Sequence, residues 1–306
     1  MSYELIIIGG GPAGVAAGVY AARKKIRTLF ITEHFRGQSA VSGKIQNWIG
    51  CISVSGEKLA KDLENHLKFY SKEIDIKEKE TVKEIKKVED IFSVKTNKGE
   101  YETKTILIAS GSIRRKLDVK GASEFENKGV TYCATCDGPM FTDMDVIVIG
   151  GGNSAFLSAS QLSAYARSVT ILQRSDFRAE PTVISNTFSN PKIKGVTNID
   201  LLEIKGDKFV TAVVYKDKKT EKTEELPAQG IFVEIGANPS VDFVKNGIVK
   251  LDEKEQIVTD PKTQKTSTEG IWSAGDCTDG LYKQNNIAVG DAIKAIEDIY
   301  KYLKTK

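Results

Sequence analysis

Arginine is scarce in this chain: eight arginines stand against 36 lysines in 306 residues, and the net charge is only +3. No basic cluster is interleaved with aromatic residues, so nucleic acid is not expected as a partner. Histidine is scarcer, with His34 and His66 standing alone. Of four cysteines only Cys133 and Cys136 lie close in sequence. No second Cys or His pair supplies the remaining ligands of a closed zinc site. A zinc half-site, a structural disulfide and an inert pair stay open beside redox chemistry for these two. Long apolar runs are also missing. None approaches the roughly 20 residues that cross a bilayer. Met1 to Ile8 runs into a glycine turn with no basic leader or cleavage site. The expectation is a cytoplasmic protein without membrane contact. In a reducing compartment Cys-x-x-Cys is redox-catalytic or metal-binding in preference to a structural staple. Cys51 and Cys277, far from the pair, read as packing residues.

What is present is a repeated pattern in a chain long enough for two domains. Leu5 to Ile8 has the signature of a buried strand. Gly9-Gly10-Gly11-Pro12-Ala13-Gly14 follows, then a helix over Val15 to Arg23 and a strand over Thr28 to Thr32. In such a strand–glycine–helix–strand unit Gly9 permits the tight turn. Gly11 lets a pyrophosphate approach the backbone, and Gly14 lets helix and strand pack closely. The helix N-terminus then faces the phosphates. Glu33, at the end of the second strand, is placed to bind an adenosine ribose or to remain a solvated carboxylate. An irregular polar stretch holds Gln38 and Asn47. Leu59, Leu63 and Leu67 mark an amphipathic helix over Gly56 to Tyr70. Residues 74–108 alternate as strands, a meander that crosses one face of a nucleotide-binding sheet, and they end in Ala109-Ser110-Gly111. Ser112 to Gly121 reads as a linker.

Val146 to Ala155 then repeats the opening motif as Gly150-x-Gly152-x-x-Ala155, a second dinucleotide site that includes Asn153 and Ser154. Two such sites point to a flavin plus a nicotinamide. After the second strand of this repeat an acidic residue favours NAD, and arginines favour the 2′-phosphate of NADP. Position 173 is Gln, but Arg174 and Arg178 follow, which leans the reading to NADPH over a surface arginine pair. Gly236 to Pro239 marks a return crossing, and Ile271 to Asp276 is a strand ending in a carboxylate. A helix is expected from Ile287 to about Leu303. The expected fold class is α/β: two Rossmann-like dinucleotide-binding domains of the three-layer ββα type, the second inserted into the first. The expected limits are 1–115 and 240–306 for a flavin-binding domain, and 116–239 for a nicotinamide-nucleotide domain that carries the cysteines.

Those cysteines form Cys133-Ala134-Thr135-Cys136-Asp137. A Cys-x-x-Cys at a helix start lowers the thiol pKa and suits thiol–disulfide exchange. Asp137 can protonate a departing thiolate if burial raises its own pKa.

Together these motifs, with Gln46-Asn47-Trp48, Ala109-Ser110-Gly111, Gly275-Asp276 and Tyr282-Lys283-Gln284, resemble the low-molecular-weight thioredoxin reductases. They are similar also to the C-terminal part of the alkyl hydroperoxide reductase flavoprotein. The resemblance is close to full length. It implies FAD contacts from Gly9, Gly11, Pro12, Ala13, Gly14, Glu33, Gln38, Asn47, Ala109, Gly111, Gly275, Asp276, Lys283 and Gln284. It implies nicotinamide-nucleotide contacts from Gly150, Gly152, Asn153, Ser154, Ala155, Arg174 and Arg178. Cys136 is then the cysteine beside the flavin, Cys133 attacks the partner's disulfide, and Asp137 is acid and base. It further implies thioredoxin or a thioredoxin-like protein as partner, and a homodimer whose nicotinamide domain swivels between two positions. The family's usual His-Arg-Arg-x-x-x-Arg is Leu172-Gln173-Arg174-x-x-x-Arg178 here, and the helix after Gly152 lacks the usual glutamates. NADH, ferredoxin or another donor, a peroxide-system partner, and a non-enzymatic flavin redox sensor are the competing readings.

Overall fold

The computed structural model describes residues 2–42 and 45–305. The chain opens with β1 (Tyr3–Ile8), α1 (Pro12–Arg23), β2 (Thr28–Thr32), α2 (Gly56–Phe69) and β3 (Ile74–Glu78). The meander β4 (Val82–Val88), β5 (Ile91–Thr96) and β6 (Glu100–Ile108) follows. Next come β7 (Ser112–Arg114), β8 (Val130–Thr131), α3 (Ala134–Asp137), β9 (Asp145–Ile149), α4 (Asn153–Leu162) and β10 (Ser168–Leu172). Then come α5 (Pro181–Phe188), β11 (Ile193–Val196), β12 (Ile199–Gly206), β13 (Val210–Asp217), β14 (Thr223–Pro227) and β15 (Gly230–Val233). The chain closes with β16 (Ala237–Pro239), β17 (Ile271–Ser273) and α6 (Asn285–Thr305).

These elements form two compact units, the second inserted into the first. Among the described residues the first unit holds 2–42, 48–113 and 238–305, and the second holds 45–47 and 114–237. Both crossings fall two residues earlier than expected. Residues 45–47 also depart from expectation, since they join the second unit. Ile45, within that stretch, is only 3% exposed.

In the first unit β3, β2, β1 and β6 are parallel neighbours in that order, and β17 extends the parallel set beyond β6. The antiparallel meander β4–β5 joins the early part of β6. Successive side chains of a strand face opposite ways. Leu5 and Ile7 accordingly enter a core with Ala17, Leu67 and Ile296 from the helices. Ile6 and Ile8 enter another with Ile85, Phe92 and Val94 from the meander. A strand buried on both faces must be apolar at every position, which explains the unbroken run Leu5 to Ile8.

The second unit repeats this logic. Its parallel sheet has the order β11, β10, β9, β15, β8. Val146 and Val148 pack with Phe156 and Leu162 of α4, whereas Ile147 and Ile149 pack with Ile204 and Val213 of the meander β12–β14. The sequence pattern leaves α5 undetected. It is one short helix, Pro-Thr-Val-Ile-Ser-Asn-Thr-Phe, too short for Val183, Ile184 and Phe188 to establish a period. It is held by tertiary packing: the Phe188 ring centroid lies 5.4 Å from that of Phe156 and 5.7 Å from that of Phe177. Among the described residues no helix is long and apolar enough to cross a membrane.

Candidate functional site

In the first unit, β1, β6 and β17 end at one edge of the sheet, and loops from distant parts of the chain meet there. Gly9 has φ +120°, and a Cβ on it would lie 2.2 Å from the Ala109 carbonyl oxygen. A Cβ on Gly14 would lie 1.8 Å from the Gly9 carbonyl oxygen. Only glycine allows both approaches. Gly11 faces open space instead, with Gly37 Cα nearest at 3.9 Å. Gly11 caps α1 without a side-chain bond, so the first amides of that helix are left for a ligand. Pro12 begins the helix, and Ala13, buried, lies 3.2 Å from where a Cβ on Gly275 would stand.

Gln38 and Asp276, far apart in sequence, are brought together. Gln38 Nε2 donates to Asp276 Oδ2 at 3.1 Å and to Ser112 Oγ at 2.8 Å. Beside Ser112, Gly111 has φ +70°, and a Cβ on it would meet nothing within 4 Å. The neighbouring Ser110 Oγ is buried and has no hydrogen-bond partner among the described residues. An orphaned hydroxyl next to an open glycine cradle and a strand-end carboxylate fits a dinucleotide. Lys283 Nζ donates to the Thr278 carbonyl at 2.5 Å. Burial pushes its pKa down, and the charge of Asp276 is the main opposing influence. The Gln284 carbonyl accepts from the Ala288 amide at 2.9 Å as α6 begins. Glu33 is exposed just after β2. Asn47, expected with these residues, stands in the second unit.

The second unit holds a matching turn. Gly150 has φ +145°, and a Cβ on it would lie 2.3 Å from the Glu234 carbonyl oxygen. Gly152 has nothing within 4 Å and caps α4 without a side-chain bond. Ala155 is fully buried beneath the turn, and Ser154 is exposed at the helix start. Asn153 is tied to Glu180, donating through Nδ2 at 3.1 Å and accepting the Glu180 amide at 2.8 Å. Gln173 is buried at 6% exposure and folds over Gly151, its side chain accepting the Arg174 amide at 3.2 Å. Arg174 and Arg178 are exposed beyond it.

Cys133 and Cys136 form a disulfide with Cα atoms 5.3 Å apart, in the half-buried loop that leaves β8. Cys133 is the N-cap of α3, and the Cys136 amide donates to its Sγ at 3.1 Å. Asp137 follows, its amide bonded to the Cys133 carbonyl at 3.0 Å. Thr131 Oγ1 donates to its carboxylate. Burial raises the Asp137 pKa above the ordinary carboxylate range, while the Thr131 hydroxyl and the Arg114 charge oppose this in part. Cys277 is fully buried and Cys51 half-buried, and neither is in a disulfide.

Thr131, Arg114, Ser112, Ser158 and Glu234 are absent from the expected site residues, and Ser112 to Arg114, expected to open a linker, form β7 instead. Thr131 and Ser112 carry no local signal. Glu234 has one, a carboxylate ending the apolar run Ile231-Phe232-Val233 before Gly236.

The pyridine nucleotide-disulphide oxidoreductase family matches residues 3–292. A thioredoxin reductase of Peptoclostridium acidaminophilum is 36% identical over 99% of this chain and 97% of its own length. An NADH dehydrogenase of Bacillus subtilis (strain 168) is 37% identical over 98% of this chain. One component of the alkyl hydroperoxide reductase of Pseudomonas aeruginosa is 37% identical over 99%. The chain spans only 58% of the length of each of those two. The crystal structure of thioredoxin reductase from Streptococcus pyogenes superposes with a TM-score of 0.92 at 33% identity, covering 100% of this chain and 99% of that one. With two nucleotide turns and a cysteine pair matched along nearly its whole length, the chain belongs to the pyridine nucleotide-disulphide oxidoreductase family, in its low-molecular-weight thioredoxin reductase group.

Proposed function

We propose that this oxidoreductase passes electrons from NADPH, by way of FAD and the Cys133–Cys136 disulfide, to thioredoxin or a thioredoxin-like protein. One observation carries the reading. The disulfide, a carboxyl with a raised pKa and an open nucleotide turn all lie in one unit, past the ends of β8 and β9 of one parallel sheet, with β15 between them. Bound FAD supplies a two-electron carrier between the nicotinamide and the cysteine pair. Gly9, Gly11, Gly14, Gln38, Gly111, Gly275 and Asp276 would hold it in the first unit. Gly150, Gly152, Asn153, Ser154 and Ala155 would hold the nicotinamide nucleotide, with Arg174 and Arg178 at its 2′-phosphate.

The cysteine chemistry follows from the local geometry. Once the pair is reduced, the Cys136 amide and the short helix favour a thiolate at Cys133. That thiolate attacks one sulfur of the partner's disulfide, forming a mixed disulfide and releasing the other sulfur as a thiolate. Cys136 then attacks Cys133, which restores the Cys133–Cys136 bond and releases the second partner thiolate. A carboxyl whose pKa is raised by burial can hand a proton to a departing thiolate, the role assigned to Asp137.

The electron donor is tested by anaerobic titration with NADPH and NADH separately, followed by flavin absorbance. NADPH is expected to bleach the flavin at lower concentration, because Arg174 and Arg178 are exposed cations with no acidic residue at position 173. A second reading, NADH as donor and a peroxide-system partner, is favoured by the names of the two longer relatives. Bleaching by NADH first would select it. No bleaching by either nucleotide would point to ferredoxin or another donor. We further propose a cytoplasmic homodimer, and a monomer in sedimentation velocity would overturn the oligomeric state.

A further inference from the structure

Glu234 is a half-buried carboxyl that the chemistry above does not use. It follows β15, its amide donates to the Ile149 carbonyl at 2.8 Å, and its own carbonyl closes over Gly150. Its side chain is aimed by Ser158 of α4, whose Oγ donates to Glu234 Oε1 at 2.7 Å. Its other oxygen has no hydrogen-bond partner among the described residues. Burial raises its pKa, and the Arg114 charge opposes that shift together with the Ser158 bond.

The sheet order says which half of a nucleotide this carboxyl meets. The pyrophosphate belongs at the Gly150–Gly152 turn, and the adenosine lies toward β10, where Gln173 and Arg174 follow the strand. The other half must then cross the ends of β15 and β8, in the order β9, β15, β8. Glu234 directly follows β15, and Cys133 lies just past β8. The carboxyl therefore stands between the phosphate turn and the disulfide.

Resting on the nucleotide reading above, we infer that Glu234 receives the nicotinamide half and discriminates its oxidation state, holding the cationic oxidised ring more tightly than a neutral reduced one. An oxidised nicotinamide carries a positive ring charge and a reduced one does not. A carboxylate in a site of low dielectric distinguishes them by charge alone.

The test is calorimetric binding to the oxidised, flavin-loaded protein. The probes are NADP+ and its 1,4,5,6-tetrahydro analogue, which has a neutral ring and donates no hydride. Both share the adenosine and pyrophosphate halves, so the ratio of their affinities reports the ring end. Glu234→Gln is expected to weaken NADP+ by about tenfold and the analogue by less than about twofold. Ser158→Ala, which frees the carboxylate without removing its charge, should move the ratio in the same direction by about threefold. Flavin content and circular dichroism verify that each variant is folded, and Glu234→Asp serves as a second variant that keeps the charge and much of the ratio. Equal weakening of both probes, or an unchanged ratio in Glu234→Gln, overturns the inference and leaves the proposed function standing. If the wild type binds neither these probes nor NAD+, the nicotinamide reading fails and takes this inference with it.

Discussion

Replacing Cys133 by serine is expected to abolish reduction of a thioredoxin-like disulfide while the flavin is still reduced by the nucleotide. The hydroxyl of serine is far less acidic than a thiol and forms no mixed disulfide, so the exchange step should fall by on the order of a thousandfold or more. Cys133 sits as the N-cap of α3 with the Cys136 amide directed at its sulfur, so the substitution removes the group that this geometry favours as thiolate. The measurement has two arms: turnover with a disulfide protein substrate, and anaerobic bleaching of the flavin. Undiminished turnover would remove Cys133 from the mechanism. Loss of both arms in a folded variant would reverse the order assigned to the two cysteines.

Asp137→Asn carries the second large effect. Asparagine keeps the shape and can still accept from Thr131, but it has no proton to give. The loss of a positioned general acid is worth roughly a hundredfold or more. Disulfide turnover should fall by that order while flavin bleaching is unchanged. The pH dependence follows from the direction of the shift. Burial raises the Asp137 pKa, so the protonated form persists above the ordinary carboxylate range. Wild-type turnover should therefore decline as pH rises through that raised value, and the variant should lack this limb. The linkage to stability has the same sign. A carboxyl with a raised folded pKa contributes most below its unfolded value, and that contribution is lost as pH rises through the folded one. The asparagine variant is thus not expected to unfold near neutrality. A variant that keeps the same alkaline limb would assign the limb to another group.

Much of this architecture is legible in the residues because the causes are local. Leu5 to Ile8 and Val146 to Ile149 are unbroken apolar runs because both faces of each strand are covered. Gly9, Gly14 and Gly150 are glycines because a backbone oxygen occupies the place of the missing side chain. Each of these constraints acts within a few residues or across one turn, so a pattern in the sequence records it. Gln173 shows where this stops. Its position in the chain makes it a candidate for reading the ribose, yet the fold turns it inward over Gly151 and leaves Arg174 and Arg178 outside. Residues 45–47 show the same limit, since the chain places them with one unit and packing places them with the other.

The sequence by itself determined the repeated strand–glycine–helix units, the insertion of one unit into the other, and the cysteine pair with its neighbouring carboxylate. The first and the last are written in spacings of a few residues, and the insertion is written in the order of those motifs along the chain. Only the tertiary structure decided that Gln38 would meet Asp276, that Thr131 would hold Asp137, and that Ser158 would aim Glu234. Those meetings depend on which strands become neighbours in the two parallel sheets and on which side chains burial turns inward. Such choices are set by the packing of the whole unit and leave no mark on the spacing of the residues involved.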